Sequence, residues 1–229
     1  MKILLATNNY GENWKYSTML ARQMRKHEIS ITLAIIGTEL SSQHKKDLEG
    51  VAYFNLVARQ EWMDSPWEDL RIAKEWLGKL KMIIQPDILH LNIFGLGKFD
   101  WNMPVLLNID TLAFFRWKAL ISKQKFSDWQ RYEKTIRQSI DSANMVIGRS
   151  EEIILAAEKV FGSFRNKRII YRGREKSLFK DKRLINAHGS PAINSEDFSR
   201  AGTIENYRKL YHDVRRFESH LMVLPVFSN

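Results

Sequence analysis

The chain has no cysteine among its 229 residues. Disulfide staples, thiolate metal ligands and a thiol nucleophile are therefore excluded, a composition compatible with a reducing cytoplasm. No apolar run approaches the roughly 18 uninterrupted residues that a membrane-spanning helix needs. The opening run Ile3-Leu4-Leu5-Ala6 is broken at once by Thr7-Asn8-Asn9, too soon for a signal-peptide core. These absences lead us to expect a soluble or peripheral protein of the cytoplasm. The first turn lacks the Gly-x-Gly-x-x-Gly pattern of a dinucleotide-binding oxidoreductase. No helix-turn-helix, zinc-finger or RNP pattern is present either, which argues against nucleic acid as a partner. Internal repeats are absent.

What the chain does have is a 44% hydrophobic content, enough for a sizeable core, and a formal charge of +10 with a pI near 9.7. Such a charge predicts attraction to something anionic, whether nucleic acid, an acidic membrane surface or a phosphorylated substrate, without choosing among them, and says nothing about fold.

Hydrophobic periodicity predicts strands at Lys2 to Thr7, Ser30 to Ile36 and Val51 to Val57. A polar, Lys-rich stretch, Ser41 to Gly50, joins the second to the third. Tyr16, Leu20 and Met24 mark the inner face of a first helix; Leu70, Ala73, Leu77, Leu80 and Ile84 mark another. Ser65-Pro66-Trp67-Glu68 has the spacing of a capping box. The chain is organised around Gln85 to Leu112, two apolar runs that each turn polar at the exit: Asp87-Ile88-Leu89-His90-Leu91-Asn92 and, after Pro104, Val105 to Asp110. Further strands are expected at Asn144 to Arg149 and Lys167 to Tyr171, with Trp129, Tyr132, Ile136 and Ile140 on an amphipathic helix before them and Ser150 capping one between them.

Seven strands alternating with helices imply an α/β fold, a doubly wound, mostly parallel Rossmann-like sheet with helices on both faces. In such a sheet ligands bind beyond the carboxyl ends of the strands, which makes the polar strand ends His90, Asn92 and Asp110 candidates. For His90 the alternative is a satisfied core histidine. Asp110 could instead cap the following helix, and Gly11 could be a plain turn glycine. We expect the sheet domain over residues 1–180, a linker-like segment over 181–202, and a C-terminal helix and tail over 203–229 that pack back on the domain. The basic, aromatic segment from Phe114 to Ile140 reads either as a solvated helix face or as an anionic-lipid docking element, with Phe114, Phe115 and Trp117 inserted at the inner face of the membrane.

Five stretches, in order, resemble the N-terminal, acceptor-side domain of a GT-B glycosyltransferase of the family 4 type: Met1 to Gly11 (MKILLATNNYG), Pro86 to His90 (PDILH), Pro104 to Leu112, Asp141 to Ile147 (DSANMVI) and Arg168 to Gly173 (RIIYRG). The chain departs from that pattern in having one glycine in the first loop, Asp110 where many members carry a histidine, and Tyr171-Arg172-Gly173 in place of a Pro-Asn-Gly step. The donor-binding half of such enzymes has no counterpart here. The resemblance implies a hexosyltransferase that moves a sugar from a nucleotide-sugar donor to a saccharide or lipid-linked acceptor in polysaccharide biosynthesis. In it Asp110 would orient or deprotonate the acceptor hydroxyl, His90 and Asn92 would hold the acceptor, and the backbone around Asn8, Tyr10 and Gly11 would face the phosphates, with Arg172 near them. It implies no bound cofactor, weak or no donor binding by this chain alone, and a separate donor-domain subunit as partner. A non-catalytic interaction subunit with the same fold is the alternative.

Overall fold

The structure, a computed structural model, describes residues 1–63, 65–96, 98, 101–109, 126–171, 173 and 199–221. Seven strands, β1 (Lys2–Thr7), β2 (Ser30–Gly37), β3 (Ala52–Val57), β4 (Ile88–Leu91), β5 (Val105–Ile109), β6 (Met145–Gly148) and β7 (Lys167–Ile169), form one sheet in the order β3-β2-β1-β4-β5-β6-β7. Every pairing is parallel. The expected α/β doubly wound sheet of seven strands is therefore what the chain forms. Such strands are buried on both faces and so read as apolar runs rather than alternating ones: Ile3 to Ala6 and Leu33 to Ile36 are each at most 2% exposed.

Two helical layers cover the sheet. On one face lie α1 (Gly11–Met24), the end of the short α2 (Ser42–Asp47) and α6 (Arg200–Leu221). They bring Tyr16, Leu20, Met24, Leu48, Tyr207 and Tyr211 onto Ile3, Leu5, Leu33, Ile88 and Leu106. On the other face lie α3 (Trp67–Ile84), α4 (Phe126–Ser142) and α5 (Glu151–Phe161), whose Leu70, Leu77, Tyr132, Ile136 and Ile154 pack on Leu4, Leu89, Leu91 and Leu107. Trp129, expected on the α4 face, lies outside the described side chains. The chain starts on the first face, through β1-α1-β2-α2-β3, then crosses to the other. The winding therefore reverses between β1 and β4, and the crevice of a doubly wound sheet opens there.

Two local readings are corrected. Ser65 takes φ +46, in the left-handed region, and Pro66 serves as the N-cap of α3 with no side-chain cap bond, so the expected capping box does not form. A true capping box sits where a bare connection was expected: Ser41 Oγ accepts from the His44 N–H at 3.2 Å, and His44 Nδ1 accepts from the Ser41 N–H at 3.3 Å, opening α2. Ser150 does cap α5, through the Ile153 N–H at 3.4 Å. Helix α6 is fixed at both ends. Thr203 Oγ1 donates to the Tyr171 carbonyl at 2.7 Å, and Arg215 and Asp213 pair with Asp87 and Arg168 at 3.3 and 3.5 Å.

Candidate functional site

The carboxyl ends of β1, β4, β5 and β6 deliver Thr7-Asn8, Asn92, Asn108 and Arg149 to one rim. Between them is a small cleft lined by Asn13, Tyr16, Asn92, Phe94, Asn108, Arg149 and Tyr207 over a floor of Ile109, Ile147 and Ile170. It holds about 20 Å³, room for one water molecule and far too little for a sugar ring.

Beneath the cleft, polar side chains from five elements join into one ladder. Tyr207 Oη of α6 donates to Asn108 Oδ1 at 3.1 Å, and Asn108 Nδ2 donates to Asn92 Oδ1. Asn92 Nδ2 donates to Ser17 Oγ of α1 at 2.9 Å, Ser17 Oγ to Thr7 Oγ1 at 2.9 Å, and Thr7 Oγ1 to the Asn8 carbonyl at 3.3 Å. The period-2 geometry of strands explains the convergence. Asn92 follows the end of β4 and Asn108 lies in β5, both on the face that α1 and α6 cover, so groups expensive to bury meet one another there.

His90 lies one step deeper on that face and is fully buried. Its Nδ1 is 2.7 Å from Tyr211 Oη, and its ring stacks on Tyr207 with centroids 5.5 Å apart. Nε2 is buried with no hydrogen-bond partner among the described residues. Burial lowers the imidazole from 6.5 to about 4, the Asn108 contact opposing, so the ring is neutral. Here His90 joins α6 to the sheet and has no surface on the cleft.

The first loop is held from within. Asn8 Oδ1 accepts the Tyr10 N–H at 3.1 Å, and Asn9 clamps the end of β2 by exchanging bonds with Thr38 at 2.9 to 3.1 Å. Tyr10 rests edge-on against Trp62, with centroids 5.9 Å apart. Gly11 takes φ +51 at the start of α1, and a Cβ built there meets nothing within 4 Å. Gly11 is thus a left-handed residue at the start of a helix, with room where a side chain would stand. Asp110 and Arg172 lie outside the described residues, and so do Phe114, Phe115 and Trp117.

Of the expected residues, the rim gathers Asn8 and Asn92 into one network, with Tyr10 and Gly11 at its edge. Asn13, Ser17, Asn108, Arg149, Tyr207 and the buried Glu61 were not anticipated. Asn108 alone carried a readable signal, a polar residue inside an apolar strand run. The others depend on partners far away in sequence.

These features define a doubly wound α/β domain whose crevice, among the described residues, is lined by amides, two tyrosines, a phenylalanine and Arg149. No protein-family model and no curated protein sequence matches the chain. Among solved structures, sucrose-phosphate synthase of Thermosynechococcus elongatus superposes with a TM-score of 0.54 at 15% identity, over 78% of this chain and 50% of that one. A glycosyltransferase of Rickettsia africae ESF-5 gives 0.49 at 10% identity, over 78% and 45%. Apo UGT2 of Phytolacca americana gives 0.47 at 10% identity, over 82% and 55%. The chain spans about half the length of the solved structures it matches. The fold is glycosyltransferase-like. No described helix is long and apolar enough to cross a membrane.

Proposed function

We propose that this chain is the acceptor-side half of a GT-B glycosyltransferase of the family 4 type, taking a saccharide or lipid-linked acceptor at its rim. A nucleotide-sugar donor would be held by a second unit, on a separate subunit or elsewhere in the same polypeptide. One observation carries the reading: the winding reverses between β1 and β4, and the amino end of α1 at Gly11 follows β1 on the same rim as the polar strand ends Asn8, Asn92 and Asn108. Glycosyl transfer needs an oriented acceptor hydroxyl and a neutralised departing phosphate. The amides and Arg149 suit the first task; the amides at the start of α1 face the side where phosphate would arrive. Asp110 follows Ile109 directly in sequence, and Ile109 lines the cleft, so we assign Asp110 the acceptor proton.

Calorimetry with nucleotide sugars, on the chain alone and with a donor-domain partner, tests the reading. We expect no tight binding alone and turnover only in the combination, abolished in Asp110→Asn. Turnover unaffected by that substitution would remove the assigned role. One observation favours the second reading, a non-catalytic subunit: the cleft amides are bonded to one another and the cavity is water-sized. That reading is supported if the chain binds a partner whose activity does not depend on Asp110 or Asn92.

A further inference from the structure

Strand β3 is an edge of the sheet, bonded on one side only. Toward β2 it pairs in parallel from Ala52 with Thr32 to Val57 with Gly37, and the Ala58 N–H reaches the Gly37 carbonyl at 2.9 Å. That bond fixes the phase. Even-numbered residues of β3 turn their N–H and C=O groups to β2, so Tyr53, Asn55 and Val57 turn theirs outward. Among the described residues these outward groups meet no partner.

The side chains of this edge are apolar and uncovered. Tyr53 and Phe54, on opposite faces, are each 40% exposed and Val57 is 62% exposed, whereas Leu33 to Ile36 of the neighbouring β2 are at most 2% exposed. Edge strands are ordinarily blunted by a lysine, a proline, a bulge or a covering segment. Ala52 to Val57 (AYFNLV) has no charge and no proline, and its register with β2 runs unbroken. In a chain of formal charge +10, this edge sets no cation of its own against a second copy.

We propose that β3 is a homodimer interface, where two copies pair antiparallel across a two-fold axis at Asn55 and continue the sheet from one protomer into the next. The strand is self-complementary about that residue. Asn55 meets Asn55 of the second copy and Tyr53 meets its Val57, so every outward N–H and C=O of the three residues gains a partner. Tyr53 then lies beside Val57 on one face and Phe54 beside Leu56 on the other, aromatic–aliphatic pairs that symmetry repeats. Centred instead on Phe54, the pairing would leave Val57 opposite Val51, which precedes the strand. The interface stands apart from the cleft and from whatever the cleft binds.

Sedimentation velocity of the whole chain, from about 1 to about 200 µM, tests this on the wild type. One strand pair lies at the small end of specific interfaces, so we expect a reversible monomer–dimer equilibrium within that range. Tyr53→Lys with Val57→Lys sets lysine opposite lysine twice and should weaken association at least about tenfold. Tyr53→Glu with Val57→Lys sets opposite charges across the axis and should restore it. Oxidation reads the register. Because the chain has no cysteine, Asn55→Cys carries the one thiol, and facing Cα atoms of a hydrogen-bonded antiparallel pair lie about 5.5 Å apart, within disulfide reach. That variant should form a cross-linked dimer, and Phe54→Cys, set diagonally from its own copy, should do so at least about tenfold more slowly. A wild type that stays monomeric throughout, even if its edge takes up an extended peptide of another protein, would overturn the proposal. So would a dimer that survives the paired lysines, or cross-linking as fast through position 54 as through position 55.

Discussion

The two faces of the sheet are built on different terms. Under α3, α4 and α5 the packing is almost wholly apolar, with Leu77, Leu89, Leu91 and Leu107 all fully buried and Glu61 the one buried carboxylate among the described residues. Under α1 and α6 the same strands carry His90, Asn92 and Asn108 against Ser17, Tyr207 and Tyr211. Buried polar groups cost free energy unless each finds a partner, so the second face trades hydrophobic stabilisation for a network that fixes where α1 and α6 sit relative to the rim. The difference teaches where to look for function: the apolar face holds the fold, and the polar one sets the crevice.

The comparison breaks most sharply in the apolar layer. Leu77→Ala should destabilise by about 2–5 kcal/mol in urea denaturation, the cost of a cavity that a packed face cannot collapse around.

Proton linkage separates the faces by sign. His90 falls from 6.5 to about 4 on folding, so the unfolded chain binds a proton the folded chain refuses. Its contribution is complete above about pH 6.5 and is lost as the pH falls toward 4. Glu61 rises from 4.5 to about 7, so its contribution is complete below about pH 4.5 and is lost as the pH rises through 7. Each spans about 3 kcal/mol at full range. Stability should therefore be nearly level between about pH 4.5 and 6.5, where the two slopes cancel. Denaturation across pH should lose its acid limb in His90→Asn and its alkaline limb in Glu61→Gln; limbs that persist in both variants would assign the linkage to other groups.

A smaller effect is expected from Asn92→Ala, about 1–3 kcal/mol, because Asn108 Nδ2 loses its acceptor and Ser17 Oγ a donor. Asn92→Asp, which keeps the acceptor for Asn108, should cost less if the ladder is what matters. Ser150→Ala, which removes the α5 cap and touches neither core, should cost about 1 kcal/mol and leave the pH profile unchanged.

Much of the fold was legible because a parallel strand buried on both faces announces itself as an apolar run, as Ile3 to Ala6 and Val105 to Leu107 do. Helix α2 escaped notice because six polar residues with none buried carry no stripe. Ser65 misled because its capping spacing is real while its backbone turns left-handed. At the site, Asn8 and Asn92 could be read as polar strand exits. For His90 the sequence left a core histidine and an acceptor contact both open, because the choice depends on Tyr207 and Tyr211, more than a hundred residues further along. Glu61 gave no sign at all: a glutamate in a loop looks the same whether water or the Gly95 amide will receive it.

Helix α6 changes what counts as one autonomous unit. Tyr207, Leu210 and Tyr211 roof Leu5, Ile88 and Leu106, so a fragment ending with β7 would leave a sheet face bare and a neutral histidine open to solvent. The boundary of this domain lies beyond its last strand, at the residues that return to cover the first one.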